Sequence, residues 1–207
     1  MALSLARLYE PLLGRMLAGA RRSVLELAPP RPGLLVVDVG CGPGALLGAY
    51  AAAGCRVAGV DRSPAMLLEA RRRAGPGALL AQGDGTALPF ASGSAGVVTA
   101  MMLLHTLSLE SGRAVLAEMA RVAGPGGVVV VADHSAGSEA SPGSWAARWA
   151  GRAIEAVAGH GPGVRRLLAG GGAASLAAGA GLQVEARRVA GGGVLEVLCL
   201  RSAGSGA

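Results

Sequence analysis

The sequence predicts an α/β fold: a mostly parallel sheet with helices on both faces, followed by a C-terminal antiparallel β-hairpin. Between residues 34 and 132, short apolar runs alternate with helix-like segments. The runs lack polar alternation, which is typical of parallel strands buried on both faces and joined by helical crossovers. Two later strand-like segments, 182–189 and 193–200, lie too close together for a crossover, so they predict an antiparallel pair.

The 207 residues predict a single domain made of four segments. Residues 1–33 predict a helical cap, because apolar side chains recur at helical spacing over 3–28, with an interruption at Pro11. Residues 34–135 form the predicted cofactor-binding core. The predicted remainder is a variable helical insert over 136–180 and the terminal hairpin over 181–207.

Within the core, the pattern predicts five strands and three helices. The strands are expected near 34–39, 56–60, 77–81, 95–101 and 127–132. The helices are expected near 43–53, 64–74 and 108–123. With the hairpin, this gives seven strands.

Composition narrows the classes of partner. The net charge is +6 and every cation is an arginine, but the arginines are scattered and aromatic residues make up only 2%. This pattern lacks the interleaved arginines and aromatics that stack nucleic-acid bases, so no nucleic-acid partner is expected. Three scattered cysteines predict neither a disulfide framework nor a metal site. With no secretory signal pattern and no apolar run of about eighteen residues, a cytoplasmic location is expected.

A glycine-rich turn, Gly40 to Gly44, follows the first predicted strand and opens a helix. Glycine permits a sharp turn and lets a ligand lie against the backbone. Gly40, Gly42 and Ala45 also fit the spacing of a dinucleotide-binding turn, in which a pyrophosphate lies at the helix N-terminus. The turn alone therefore predicts a site for a nucleoside-bearing cofactor, and leaves open which one.

Three acids stand close to the carboxyl ends of the first three strands: Asp38, Asp61 and Asp84. Ligands of open α/β sheets bind at these ends. Asp38 would be within reach of a cationic amino group or of the loop's own N–H groups. Asp61 can accept both hydroxyls of a ribose, and Asp84 can accept from an adenine amino group.

Five segments of the chain resemble the successive motifs of class I S-adenosylmethionine-dependent methyltransferases. They are DVGCGPG, GVDRSPAML, QGDGTALPF, VVTAMMLLHTL and LAEMARVAGPGGVVVVADH. The resemblance covers roughly residues 34–135 and is closest to the methyltransferase type 11 group, which includes C-methyltransferases of ubiquinone and menaquinone biosynthesis. It implies a Rossmann-like seven-stranded sheet and S-adenosylmethionine as the cofactor.

The resemblance also implies roles for individual residues. Asp61 would bind the ribose hydroxyls, Asp84 the adenine amine, and the glycine loop would lie under the methionine part. Tyr9 would fold over the cofactor, although simple packing explains it nearly as well. The complete predicted set of cofactor contacts is Tyr9, Asp38, Gly40, Cys41, Gly42, Gly44, Asp61, Arg62, Met66, Gly83, Asp84, Gly85, Met101 and His105.

Two histidines are candidate catalytic bases. His105 and His134 follow the fourth and fifth predicted strands on the cofactor side of the sheet. Imidazole titrates near neutral pH, so either can accept a proton from a nucleophile. Helix capping or packing is the alternative role.

The sequence thus predicts a methyltransferase that acts on a small, apolar acceptor of quinone, lipid or metabolite type. A nicotinamide-dependent oxidoreductase and a catalytically inactive regulatory protein that binds S-adenosylmethionine remain as alternatives. The chain is expected to be a monomer or homodimer. Its arginine-bearing N-terminal helix is a candidate for peripheral contact with anionic lipid.

Overall fold

The computed structural model describes residues 17–135 and 161–202, and every element below falls in these ranges. The seven strands are β1 (Leu35–Val39), β2 (Arg56–Asp61), β3 (Leu79–Gln82), β4 (Val97–Met101), β5 (Val128–His134), β6 (Leu182–Ala190) and β7 (Leu195–Ser202). The helices are α1 (17–27), α2 (Ala45–Ala52), α3 (Pro64–Ala74), α4 (Leu109–Ala123), α5 (Gly161–Ala169) and α6 (Gly172–Gly179). Short 3-10 turns cover Leu104–Thr106 and Gly191–Gly193.

The strands form one mixed sheet in the order β3-β2-β1-β4-β5-β7-β6. The first five strands pair in parallel, whereas β7 pairs antiparallel with both β5 and β6. This confirms the predicted fold class and the terminal hairpin. The strand order reverses between β1 and β4, and their diverging connections leave a crevice at the carboxyl ends of these strands, where α/β sheets bind ligands.

Capping residues in the sequence explain where α3 and α4 begin. Ser63 caps α3 by accepting from the Met66 N–H at 3.4 Å, and Pro64 fits the first turn, where no N–H partner is needed. Ser108 caps α4 in the same way, accepting from the Ser111 N–H at 3.0 Å. These caps fix where each helix follows its strand.

Two apolar clusters, one on each face, hold the sheet. One packs α4 and α6 against the sheet, with Leu116, Met119 and Leu176 among its buried residues. The other packs α1 and α2 against the opposite face and includes Val24 and Tyr50. The Tyr50 hydroxyl donates to the Ala28 carbonyl at 2.8 Å, which ties the end of α1 to α2. Within the described ranges, the helices are all too short or too polar to cross a bilayer.

Candidate active site

A pocket opens at the carboxyl ends of β1, β2 and β4, at the point where the strand order reverses. It brings together seven of the predicted cofactor contacts: Asp38, Gly40, Cys41, Gly42, Asp61, Met66 and Met101. The remaining lining residues are Leu17, Arg21, Pro43, Ala45, Leu46, Ser63, Met102, Leu103 and Thr106. The wall is therefore mostly apolar and carries two acids and one arginine.

The glycine loop directs its N–H groups into the protein. The N–H groups of Gly40 and Cys41 donate to the Val60 carbonyl at 2.8 and 3.1 Å. The Gly42 N–H donates to Asp61 Oδ2 at 2.8 Å, and the Gly44 N–H donates to the Cys41 carbonyl at 3.0 Å. Proline has no N–H to contribute at position 43. The loop thus uses its donors to hold its own shape.

Glycine is required in this loop for two different reasons. Gly42 has φ 53, and a Cβ there would meet no atom within 4 Å. Gly44 has φ 78, and a Cβ there would lie 2.6 Å from the Cα of Ala70 in α3. At Gly42 glycine is required only by the positive φ, because a side chain there would meet open space. At Gly44 glycine also allows the close contact between the loop and α3. Gly44 is absent from the pocket wall.

Asp38 is buried, and its Oδ1 accepts a hydrogen bond from the Thr99 hydroxyl at 2.6 Å. Burial raises the pKa of Asp38 to about 7, the Thr99 hydrogen bond opposes this, and the nearby charge of Asp61 raises it further. Of its two predicted roles, the contact with the loop N–H groups belongs instead to Asp61. An ammonium group in the pocket would favour the ionised form of Asp38.

Asp61 is held by two backbone donors at the end of β2. Its Oδ2 accepts from the Gly42 N–H, and its Oδ1 accepts from the Ser63 N–H at 2.9 Å. A carboxylate oxygen can accept more than one hydrogen bond, so both oxygens retain acceptor capacity toward the pocket. Asp61 therefore orders the loop and can also bind a pair of hydroxyl groups.

The predicted adenine-binding residues on the β3 side lie next to the pocket but do not line it. Asp84 forms an ion pair with Arg62, and its Oδ1 accepts from the N–H and the hydroxyl of Thr86, both at 2.9 Å. The Thr86 N–H, the Arg62 side chain and the Thr86 hydroxyl lower the pKa of Asp84 to about 2. The four predicted contacts Arg62, Gly83, Asp84 and Gly85 are absent from the pocket wall.

Both candidate bases belong to a buried cluster that is absent from the pocket wall. His105 Nδ1 lies 2.9 Å from Asp133 Oδ1, and the backbone N–H of His134 donates to the same oxygen at 2.8 Å. The two imidazole rings meet edge to face, with centroids 4.9 Å apart. Burial alone would raise the pKa of Asp133, but hydrogen bonding and charge from His105, together with His134, lower it overall. Asp133 is thus an ionised partner for His105.

Ligand atoms of His105, Asp133 and His134 lie within 4.8 Å of one another, a set of residue types that can hold a metal ion. The hydrogen bonds that Asp133 already accepts account for this arrangement.

Cys41 occupies its place in the glycine loop because of the backbone geometry there, and its thiol has no chemical role in this site. Burial raises the pKa of its thiol above the usual range, so the sulfur stays protonated.

Besides the apolar lining residues, the predicted site did not include three polar residues, Thr99, Asp133 and Arg21. Thr99 and Asp133 act through cross-strand and loop contacts, and Arg21 reaches the pocket from α1. Thr99 lies opposite Asp38 in the β1–β4 register, a pairing that the structure reveals and the apolar runs do not encode. Tyr9 lies outside the described residues.

The residues present fit S-adenosylmethionine better than a dinucleotide. A pyrophosphate requires N–H donors that point at the ligand, yet the loop donors point into the protein. The two pocket acids would also repel a pyrophosphate, whereas they suit an ammonium group and a ribose. Asp38, Asp61 and Met66 would hold such a cofactor.

Known proteins that resemble this chain are methyltransferases. A family model described as a methyltransferase domain matches residues 36–127. The chain is 41% identical over 115 residues to the demethylmenaquinone methyltransferase of Renibacterium salmoninarum, covering 56% of this chain and 47% of that protein. It is 39% identical over 142 residues to the demethylmenaquinone methyltransferase of a Parafrankia species, covering 59% and 54%. The chain thus spans about half the length of the curated relatives it matches.

Solved structures share the fold over nearly the whole chain. A SAM-dependent methyltransferase from Aquifex aeolicus has a TM-score of 0.68 at 17% identity, covering 97% of both chains. The O-methyltransferase NcsB1 of neocarzinostatin biosynthesis has a TM-score of 0.70 at 26% identity, covering 96% of this chain and 57% of that one. It was crystallised with S-adenosyl-L-homocysteine and 1,4-dihydroxy-2-naphthoic acid.

The sheet order and the glycine loop, whose N–H groups donate to protein acceptors, are typical of a domain that binds a nucleoside-bearing ligand. Residues 36–127 of this chain match a methyltransferase domain, and its fold is that of class I S-adenosylmethionine-dependent methyltransferases.

Proposed function

We propose that this chain transfers a methyl group from S-adenosylmethionine to a small, apolar acceptor by in-line displacement. The observation that carries the proposal is the glycine loop, whose N–H groups all serve protein acceptors beside two pocket carboxylates. That arrangement suits a cofactor with an ammonium group and a ribose, and it disfavours the pyrophosphate of a nicotinamide cofactor.

Leu17, Met101, Met102 and Leu103 make the acceptor side of the pocket apolar. The relatives named as demethylmenaquinone methyltransferases support a quinone-type acceptor for this chain, as does the dihydroxynaphthoic acid held by NcsB1. We therefore rank a reduced quinone or related phenol above a lipid amine.

When bound, S-adenosylmethionine supplies an already activated sulfonium methyl group. The residues of this chain would supply position and proton transfer. Asp38 would hold the ammonium group of the cofactor and Asp61 its ribose hydroxyls, and holding the acceptor in line contributes on the order of 7–11 kcal/mol. His105, paired with the ionised Asp133, is the candidate proton acceptor for a phenolic hydroxyl, and His134 is the alternative.

Calorimetry with S-adenosylhomocysteine and with NADH tests the cofactor assignment. We expect the wild type to bind S-adenosylhomocysteine and not NADH, because the loop presents no donors to phosphate. Asp61→Asn should weaken S-adenosylhomocysteine binding by about 10- to 100-fold, the loss expected for hydrogen bonds to a charged group. Asp61→Ala should weaken it at least as much.

Glu26→Gln is the matched control, because Glu26 is an exposed acid on α1 away from the pocket. Tight NADH binding without S-adenosylhomocysteine binding would favour the oxidoreductase alternative. Cofactor binding without turnover on naphthoquinols, phenols and lipid amines would favour the inactive regulatory protein.

A further inference from the structure

Arg21 is the one basic side chain among the described residues that line the pocket. It lies on α1, which is fixed to the domain because Leu17, Ala20 and Val24 are buried against the core. Arg21 itself is half-buried, and another group of the protein already interacts with it. Arg21 therefore lines the pocket from a helix that is packed firmly on the domain.

The charges of the proposed cofactor need such a group. The methionine part of S-adenosylmethionine carries an ammonium and a carboxylate. Asp38 can take the ammonium, but a carboxylate beside Asp38 and Asp61 needs a donor of opposite charge. The N–H groups of the glycine loop cannot provide it, since they already donate to protein acceptors.

We infer that Arg21 binds the carboxylate of the cofactor's methionine part and so makes α1 a component of the cofactor site. The inference rests on the proposed function. An arginine side chain presents a planar fork of donors that matches a carboxylate and stays charged at any working pH. Binding would add to, or replace, the contact that Arg21 makes within the protein.

A ligand pair that differs only in the carboxylate provides the test. S-adenosylhomocysteine retains this group, and decarboxylated S-adenosylhomocysteine lacks it. We expect the wild type to prefer S-adenosylhomocysteine. Arg21→Gln should weaken binding of S-adenosylhomocysteine by about 10- to 100-fold and leave the affinity for the decarboxylated ligand unchanged. Arg21→Lys should retain part of the preference.

Arg22→Gln is the matched control, since Arg22 is the exposed neighbour on the same helix. If Arg21→Gln loses affinity equally for both ligands, or for neither, the role of Arg21 is overturned. In that case, binding of S-adenosylhomocysteine to the wild type still supports the proposed function. Failure of the wild type to bind S-adenosylhomocysteine overturns both. Circular dichroism of each variant verifies that it is folded.

Discussion

Asp38 shows how one buried side chain can link proton binding to cofactor binding. Its carboxyl group is enclosed between β1 and β4, with the Thr99 hydroxyl as a donor, and burial raises its pKa to about 7. The raised folded-state value lies above the ordinary value of 3.8, so the folded state favours the protonated form. The contribution of Asp38 to stability therefore falls as pH rises from about 4 through about 7.

Cofactor affinity should show the opposite trend in that range. An ammonium group prefers the ionised carboxylate, so affinity for S-adenosylhomocysteine should rise by up to about tenfold per pH unit below pH 7 and then level off. Calorimetry between about pH 5.5 and about pH 8.5 measures this affinity on both sides of the Asp38 pKa of about 7. Asp38→Asn and the ligand 5′-methylthioadenosine, which lacks the ammonium, should both remove the rise. A rise that persists in Asp38→Asn would assign it to another group.

His105 is the residue for which binding and chemistry can be separated. We expect His105→Gln to lower kcat for a phenolic acceptor by about 10²- to 10⁴-fold while the affinity for S-adenosylhomocysteine stays near that of the wild type. The affinity should stay unchanged because the imidazole pairs with Asp133 and does not line the pocket. Single-turnover rates and calorimetry give the two quantities.

His134→Gln identifies which histidine accepts the proton, because it removes the neighbouring ring and leaves the His105–Asp133 pair in place. A larger kcat loss in His134→Gln than in His105→Gln would reverse their roles. Unchanged turnover in both variants would leave the cluster with a structural role only.

Part of the site could be predicted at the residue level because local sequence fixes it. Gly40, Gly42 and Asp61 follow their strands at set distances, so a βα pattern alone brings them together. Arg21 and Asp133 could not be predicted in this way. Their partners are set by how α1 docks and by the contact between the turn after β4 and the end of β5, which depend on packing across the sheet.

At the scale of elements, the contact between the glycine loop and α3 sets how closely α2 and α3 approach. Gly44→Ala would place its Cβ 2.6 Å from the Ala70 Cα at a φ of 78. We expect an unfolding free energy lower by about 1 kcal/mol for the backbone conformation and by a further 1–3 kcal/mol, roughly, for the clash. Urea unfolding of Gly44→Ala measures the sum.

Gly33→Ala separates the two costs, since Gly33 also has positive φ but a Cβ added there would meet no atom within 4 Å. It should lose only the backbone part. Equal losses in the two variants would mean that the loop and α3 separate without cost.

Element positions were predicted well where the apolar pattern is regular, whether a continuous run in a strand or one face of a helix. The prediction near 56–60 corresponds to β2 at Arg56–Asp61, and the one near 108–123 to α4 at Leu109–Ala123. The 3-10 turn Leu104–Thr106 was missed, because its N–H groups and side chains are held by tertiary contacts such as His105 with Asp133. Strand order also depends on packing between elements, which apolar runs do not encode.

For the whole molecule, the net charge of +6 gives a testable expectation about membranes. Helix α1 uses its apolar face to pack on the core, so contact with lipid would come from residues 1–16 and from charge. We expect salt-sensitive co-sedimentation with vesicles of phosphatidylglycerol and none with phosphatidylcholine. A variant lacking 1–16 should lose it. Absence of sedimentation with anionic vesicles would contradict peripheral binding.

The position of β7 has a consequence for synthesis on the ribosome. β7 is translated after every other described strand, yet it lies between β5 and β6 inside the sheet. Until residues 195–202 have left the exit tunnel, the valine-rich β5 has an unpaired edge. Exposed edges of this kind recruit other chains. A nascent chain of this protein therefore passes through a stage at which a chaperone that shields β5 would raise the yield of native protein.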